Sequence, residues 1–427
     1  MNLVVAIGAL HRTLDVSQDR SNQYPGLGDG ERDRKSHYIF ALQQYGKALV
    51  QLNDKTREES ISDSYLRYAL ISSLLTTCFE TYLGNTDNAI TQATIGIQLL
   101  LKWTAQHQKE PADDLEDDWS NIRRVASRSV YIPDELLSAF QRLDYQLALC
   151  RGLQPGRKSP RAFPSINRPF TSIDEACRFW HLVVRRVLYF HSLKDIREQH
   201  SLQGYDEDNS QTSDNRAMDY PKYAQAELHN FTISTEQFFR SFMPIFESSR
   251  QRPDTKEYLL ANLIMIRALA CRIAVSQGPS HSELYSDAFL QDYMLMIKLA
   301  RELIDNSKAT LRRAIFSFDM TLGVSIFRLT HHCKEPRIRR QGIELLLQYP
   351  QREGWFDTLI AAKISTWIMN EEEKGMVHGF IPDAARLRLV KHVPGPEKRK
   401  VELHCSKLVW KDGKTGREML PPVTIMC

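Results

Sequence analysis

The chain has 427 residues, 42% of them hydrophobic and 25% charged, an ordinary globular balance that excludes wholesale disorder. Lys+Arg 56 against Asp+Glu 52 leave a formal net charge of +4, too near balance to point to a polyanionic partner. Gly 19 and Pro 18 make up about 9% of the chain against a typical 12% or so, which excludes collagen-like and low-complexity classes and favours helix.

In chain order, Leu3-Val-Val-Ala-Ile-Gly-Ala-Leu10 has no basic residue before it, so it reads as a core helix and not as a signal peptide. No run reaches the roughly 18 apolar residues of a membrane helix. Gly26-Leu-Gly-Asp-Gly30 follows no strand and reads as a loop, not a phosphate cradle. Over Ser36–Leu52 the residues Tyr38, Leu42, Tyr45 and Leu49 fall on one helical face. Asp63–Leu83 continues the helical pattern with Leu66, Leu70, Leu74, Cys78 and Phe79 until Gly84-Asn85 breaks it. Thr86 or Asp87 caps the next helix, which runs to about His107. Its Ala89, Ala93 and Gly96 are small enough for two helices to approach closely, as in an αα-hairpin.

Residues 110–132 read as an acidic loop and Pro133 to about Arg151 as a helix. Pro155, Pro160, Pro164 and Pro169 then mark a linker. Thr171-Ser172-Ile173-Asp174-Glu175 is a capped helix start, leading a helix to about Ile196, and polar residues 199–219 form a loop. Further helices are expected at about 221–248, 254–277, 283–306, 309–332, 335–348 and 354–374. Pro350 to Trp355 is a corner, where Pro350 stops one helix and Gly354 allows the turn. In the tail, Val401–Trp410 has strand-like residues, Lys411–Gly416 is turn-rich and Val423–Ile425 reads as a return strand. The expected fold is all-α, an array of packed antiparallel helices with a small C-terminal β-hairpin. The expected division is 1–151 helical, 152–171 linker, 172–380 helical and 381–427 tail.

Few residues carry chemistry. The seven cysteines, at 78, 150, 177, 271, 333, 405 and 427, stand singly, whereas disulfide frameworks and structural zinc sites show close pairs. Reduced, buried thiols are therefore expected, and the sequon Asn230-Phe231-Thr232 carries little weight without a secretory route. Asp113-Asp114-Leu-Glu-Asp117-Asp118 fits the D-D-x-x-D pattern that converges on Mg²⁺ in all-α terpene synthases. It follows Pro111 between helices and has no second carboxylate cluster, so a solvated acidic loop is the plainer reading. His331-His332-Cys333 sits at a helix end, where histidine suits the dipole, without a partner spaced for a metal. Lys398-Arg399-Lys400 with Lys391 is a short basic cluster, and nothing has the form of a recognition helix. No P-loop, H-E-x-x-H or G-x-S-x-G string occurs. The residues thus assign no catalytic, cofactor-binding, metal or DNA-binding site, no cofactor and no enzyme activity.

Four strings say more. His37–Leu52 resembles the first helix of the regulatory region of fungal binuclear zinc-cluster transcription factors. Leu70–Glu80 with Gly84-Asn85 and Ala89 to Leu100 resembles the hairpin that follows, and Phe170–Ala176 the next block. Cys333-Lys-Glu-Pro-Arg-Ile-Arg-Arg-Gln-Gly-Ile-Glu-Leu-Leu-Leu347, Pro350–Trp355 and Ala361–Ile364 are similar to the C-terminal signature of that region. These strings are structural motifs and transfer no catalytic residue. The family's DNA-binding module needs two close cysteine triplets sharing two zinc ions, and here the first cysteine is Cys78, within a helix. The resemblance therefore implies the regulatory region alone, from a naturally shortened gene or a start codon placed too late. It implies a nuclear, transcription-regulator-like protein that acts through protein contacts, with itself or a full-length factor, or through a small-molecule effector. It would neither bind DNA specifically alone nor associate with membranes. The alternative is a helical scaffold with no role in transcription, in the cytoplasm.

Overall fold

The computed structural model describes residues 1–18, 29–58, 63–108, 118–129, 132–151, 165–202, 220–253, 255–276, 282–307, 316–317, 322–394, 400–411 and 414–426. It is 74% helical, with thirteen α-helices and a small C-terminal sheet among those residues. The fold is all-α. The chain forms two units: Met1–Arg161 with Arg312–Met320 and Arg352–Trp355, and Ala162–Leu311 with Thr321–Gln351 and Phe356–Cys427.

The first unit holds α1 (Asn2–Gln18), α2 (Asp29–Glu58), α3 (Asp63–Leu83), α4 (Thr86–His107), α5 (Asp118–Ala126) and α6 (Asp134–Arg151), with two-residue strands β1 (Phe316–Ser317) and β2 (Arg352–Glu353) paired in parallel. Its core joins Leu66, Leu70, Ile90, Ala93, Ile97, Trp103, Trp119 and Phe140. α3 and α4 make the expected hairpin, and Gly84 takes φ +82 at its turn, a conformation open to glycine without Cβ strain. Gly96 is as close-packed as its size implied. A Cβ there would lie 2.3 Å from Phe140 Cε1 and 2.6 Å from Ser73 Oγ. Asp144 Oδ2 accepts from Trp119 Nε1 at 2.6 Å, so the indole is buried with its donor satisfied.

Four expectations in this unit change. The cap of α4 is Asn85, and Thr86 and Asp87 lie inside the first turn; the Asn85 side chain donates to Glu80 Oε2 at 2.8 Å instead of capping. The stretch 110–132 contains helix α5, whose Trp119, Ile122 and Val125 are buried. Gly30 lies within α2, not in a loop. In α2 the buried seam is Ala41 and Ala48, flanked by half-buried Tyr38 and Tyr45, while Leu42 and Leu49 are 39% and 41% exposed. The aromatics set this rotation. Tyr45 stacks on Phe79 at 4.1 Å and donates to Glu80 Oε1 at 2.5 Å, and the alanines let α2 come close.

The second unit begins with α7 (Ile173–Leu202), α8 (Tyr220–Arg250), α9 (Lys256–Val275) and α10 (Leu290–Ser307), the last preceded by a 3₁₀ turn at Leu284–Phe289. The start of α7 is capped by serine, one of the two residues expected: Ser172 Oγ accepts from Glu175 N at 3.1 Å, and Glu175 Oε2 accepts from Thr171 N at 2.7 Å. Phe170, Phe179, Trp180, Phe238 and Phe242 pack ring against ring between α7 and α8. α9 is long and apolar enough to cross a membrane by length and composition, although Arg267 and Arg272 interrupt its apolar run. In this fold its Ala261, Ile264, Met265, Ile266, Leu269 and Ile273 are buried.

Then come α11 (Gly323–His332), α12 (Pro336–Gln348), β3 (Phe356–Asp357) and α13 (Thr358–Glu373). The helix expected over 309–332 is shorter: Phe316–Ser317 is a strand and α11 begins at Gly323. Pro336 sits in the first turn of α12 and Glu335 caps it, accepting from Ile338 N at 2.7 Å. Gln351 and Thr358 bracket the expected corner. Thr358 N donates to Gln351 O at 3.1 Å, and Gln351 N to Thr358 Oγ1 at 2.9 Å. The tail exceeds a hairpin. β4 (Leu387–Pro394), β5 (Lys400–Lys411), β6 (Lys414–Met419) and β7 (Val423–Met426) form a four-stranded antiparallel sheet, with β4, β6 and β7 all paired to β5. Val401, Leu403 and Cys405 pack with Ile364 and Ile368 of α13.

Candidate functional site

The charged residues of the C-terminal signature converge inside the second unit. α11 ends at His332, and the chain turns through Lys334 and Glu335 into α12, which carries Arg339. α13 brings Glu372 to meet them. Glu372 Oε1 accepts from Lys334 Nζ at 2.8 Å and from Leu387 N at 2.6 Å, and its Oε2 accepts from Arg339 Nη1 at 2.5 Å. The side chains of Glu372 and Arg339 are 0% exposed and that of Lys334 is 3%. Arg339 Nε also donates to Thr330 O at 2.8 Å, and Lys334 Nζ to His331 O at 2.6 Å.

Burial alone would push the Glu372 carboxyl up. The charges of Lys334 and Arg339 outweigh it and hold the carboxyl below its ordinary range. Lys334 is held down by the same burial, against the pull of Glu372. A buried carboxylate that accepts from two cations and a backbone N–H has both oxygens and three of its roughly four lone-pair sites engaged. The cluster locks α11, α12, α13 and the first residue of β4 together. It leaves no free acid or base for a reaction.

A second cluster ties the sheet to the 3₁₀ turn. Glu283 Oε1 accepts from Arg388 Nε at 2.7 Å. Arg386, 0% exposed, grips Asp287 with two nitrogens at 3.0 and 2.7 Å and donates to Glu283 O at 2.9 Å. Arg417 donates to Ser406 O at 2.9 Å.

The residues weighed from sequence fall as follows. Asp113, Asp114 and Asp117 lie outside the described residues, and Asp118 opens α5. His331 Nδ1 meets Phe327 O at 2.9 Å and His332 Nδ1 meets the Tyr285 hydroxyl at 3.0 Å. Loss of water holds His331 down to about 3 and His332 well below its ordinary value. Cys333 is buried, and burial pushes its thiol up to about 12. Among the described residues no group of three or more His, Cys, Asp or Glu is placed to hold a metal ion. Cys78, Cys177, Cys271, Cys333 and Cys405 are free thiols. Lys398 and Arg399 lie outside the described residues, and Lys391 is exposed on β4. Sequence reasoning passed over Glu372, Glu283, Arg386, Arg388 and Arg417. For the three arginines the one signal was a tail holding many arginines and lysines beside strand-like residues.

One hollow, of about 510 Å³, lies between α10 and α12 and is lined by Met294, Ile297 and Ile338 with both cations (Lys298, Arg301, Arg337) and acids (Glu302, Asp305, Glu335). No protein-family model, curated protein or solved structure matches the chain.

Proposed function

We propose that the chain is a transcription-regulator-like protein of the regulatory-region type found in fungal binuclear zinc-cluster factors, nuclear, acting through protein contacts or a small-molecule effector and without catalysis. The observation that carries this reading is the order of the four resembling strings along the chain. It is supported by the use of their polar residues. Ser172 and Glu175 are spent on a cap, Glu335 on another, and Lys334 and Arg339 on Glu372. A motif whose charges face one another serves architecture, and function then falls to surfaces. The amphiphilic hollow between α10 and α12 is the place to seek an effector.

Specific duplex binding needs side chains held against base edges and cations on phosphates, and no recognition helix stands among these residues. Pairing with a full-length relative would titrate that factor and make the chain a negative modulator. The test has two arms. Tagged protein in a fungal cell should be nuclear and should co-purify with a zinc-cluster factor; a cytoplasmic protein without such a partner favours the scaffold. Purified protein should not shift CGG-containing duplexes at near-physiological salt, where non-specific cationic binding is weak. A shift surviving excess competitor DNA overturns the reading.

A further inference from the structure

The strongest unclaimed feature is the outward face of α2. Ile39, Leu42, Gly46 and Leu49 recur at spacings of three, four and three, which is the a/d period of a coiled-coil seam. This stripe lies beside the one that packs inward. Ile39 is 46% exposed, Leu42 39% and Leu49 41%, with Phe40 at 43% and Val50 at 62% beside them. Its extent is that of the largest apolar patch on an ordinary monomer, and such a patch is often functional.

Gly46 sharpens the argument. Glycine inside a helix costs stability relative to alanine. At Gly96 the fold explains the missing methyl, because Phe140 occupies its place. At Gly46 nothing among the described residues lies within 4 Å of where a Cβ would stand. Those residues give no use for that glycine, whereas a helix approaching from outside does.

The order of sizes identifies the visitor. Laid antiparallel on itself with the two-fold at Gln44, α2 places Leu42 level with Gly46 of the other copy, and Ile39 level with its Leu49. The largest gap in the stripe thus receives a leucine, twice, by one symmetry operation. That is the self-complementarity of an isologous interface, with the layering of antiparallel knobs-into-holes packing. The flank at Gln43 is exposed and uncharged, so the close approach sets no like charges together there. The five apolar side chains leave on the order of 400 Å² exposed per copy, about half of a standard partner's share. A standard interface takes about 800 Å² per partner.

We infer that α2 is a homodimer seam: two copies of this chain associate antiparallel along Ile39, Leu42, Gly46 and Leu49. The inference goes beyond the proposed function and stands whether or not that reading does.

The experiment is sedimentation equilibrium from about 1 to about 100 µM, the range in which a modest interface is populated. The wild type should approach twice 49.4 kDa as concentration rises. Ile39→Glu alone and Leu49→Lys alone should each stay monomeric with unchanged far-UV circular dichroism. The two substitutions combined should restore the dimer, because the register sets each new charge against its opposite on the other copy. Within one copy the two positions are ten residues apart and cannot pair. A wild type monomeric at the highest concentration, a dimer that survives either single substitution, or a failure of the combination to restore it overturns the inference.

Discussion

Removing the carboxylate at the centre of the buried cluster is the most direct test of the second unit's architecture. Glu372→Ala leaves Lys334 and Arg339 facing each other, 3% and 0% exposed, and frees Leu387 N. Breaking a buried ion pair from one side costs about 3–5 kcal/mol, because an uncompensated charge remains. Against a typical total stability of about 5–15 kcal/mol, that is a large fraction, and here two cations are stranded. The exposed pair Arg168–Glu175 uses the same chemistry at 58% and 21% side-chain exposure, so Arg168→Ala should unfold with the wild type. The triple variant Lys334→Met, Arg339→Met, Glu372→Leu should recover most of the loss, since apolar groups of similar volume often replace buried charges at no cost. The assay is urea unfolding followed by circular dichroism, comparing midpoints at unchanged slope. A Glu372→Ala midpoint equal to wild type, or a triple variant no better than the single one, would refute the reasoning.

Three further outcomes are expected. Gly96→Ala should destabilise by about 1–3 kcal/mol through overpacking against Phe140, although alanine is the better helix former; a raised melting temperature would contradict the close packing. Trp355→Ala should cost about 2 kcal/mol, below the 3–5 of a fully buried tryptophan, because Trp355 is only half-buried against the first unit's core; a cost under half a kcal/mol would show the contact is idle. Stability should fall on acidification. His331 and His332 are held below their ordinary 6.5 by lost hydration, so the unfolded chain takes up their protons first. Their contribution is complete above about 6.5 and is lost as pH falls below it, down to about 3 for His331, at up to about 1.4 kcal/mol per unit for each ring. Thermal melts between pH 7 and 5 read this slope, which His331→Gln with His332→Gln should flatten; an unchanged slope would place the acid sensitivity elsewhere.

Helix positions were legible because local signals decide them. Asp63–Leu83 and the serine cap before α7 are written in period and cap residues, and both stand as read. Which face of a helix turns inward is decided by partners. The stripe Tyr38, Leu42, Tyr45, Leu49 is apolar, but Phe79 and Glu80 claim Tyr45 and two alanines take the contact, so the leucines turn outward. The sheet was half legible. β5 carries β-branched and aromatic residues, whereas β6, Lys-Thr-Gly-Arg-Glu-Met, looks like a turn until β5 pairs with it. β4 hides its alternation behind an irregularity between Leu389 and Lys391. Glu372 stands between Glu371 and Glu373 in three identical letters, and only the fold shows which one is buried. The functional reading comes from resembling strings and not from geometry, which explains their internal polar contacts without naming a reaction.

The long strand β5 makes assembly of the second unit a matter of timing. Glu283 must wait for Arg388, 105 residues downstream, and β7 pairs with the start of β5 last of all. At about 5–20 residues per second, the stretch from β4 to the terminus takes a few seconds to emerge. During that interval α9 to α13 have been made, but Glu372 lacks the Leu387 amide and Glu283 lacks its cations. A ribosome that stops short in this stretch therefore releases a chain with its helices complete and its acidic anchors still hydrated. Such a chain exposes the apolar side of α13 around Ile364 and Ile368, and chaperones and proteases would recognise it as unfinished.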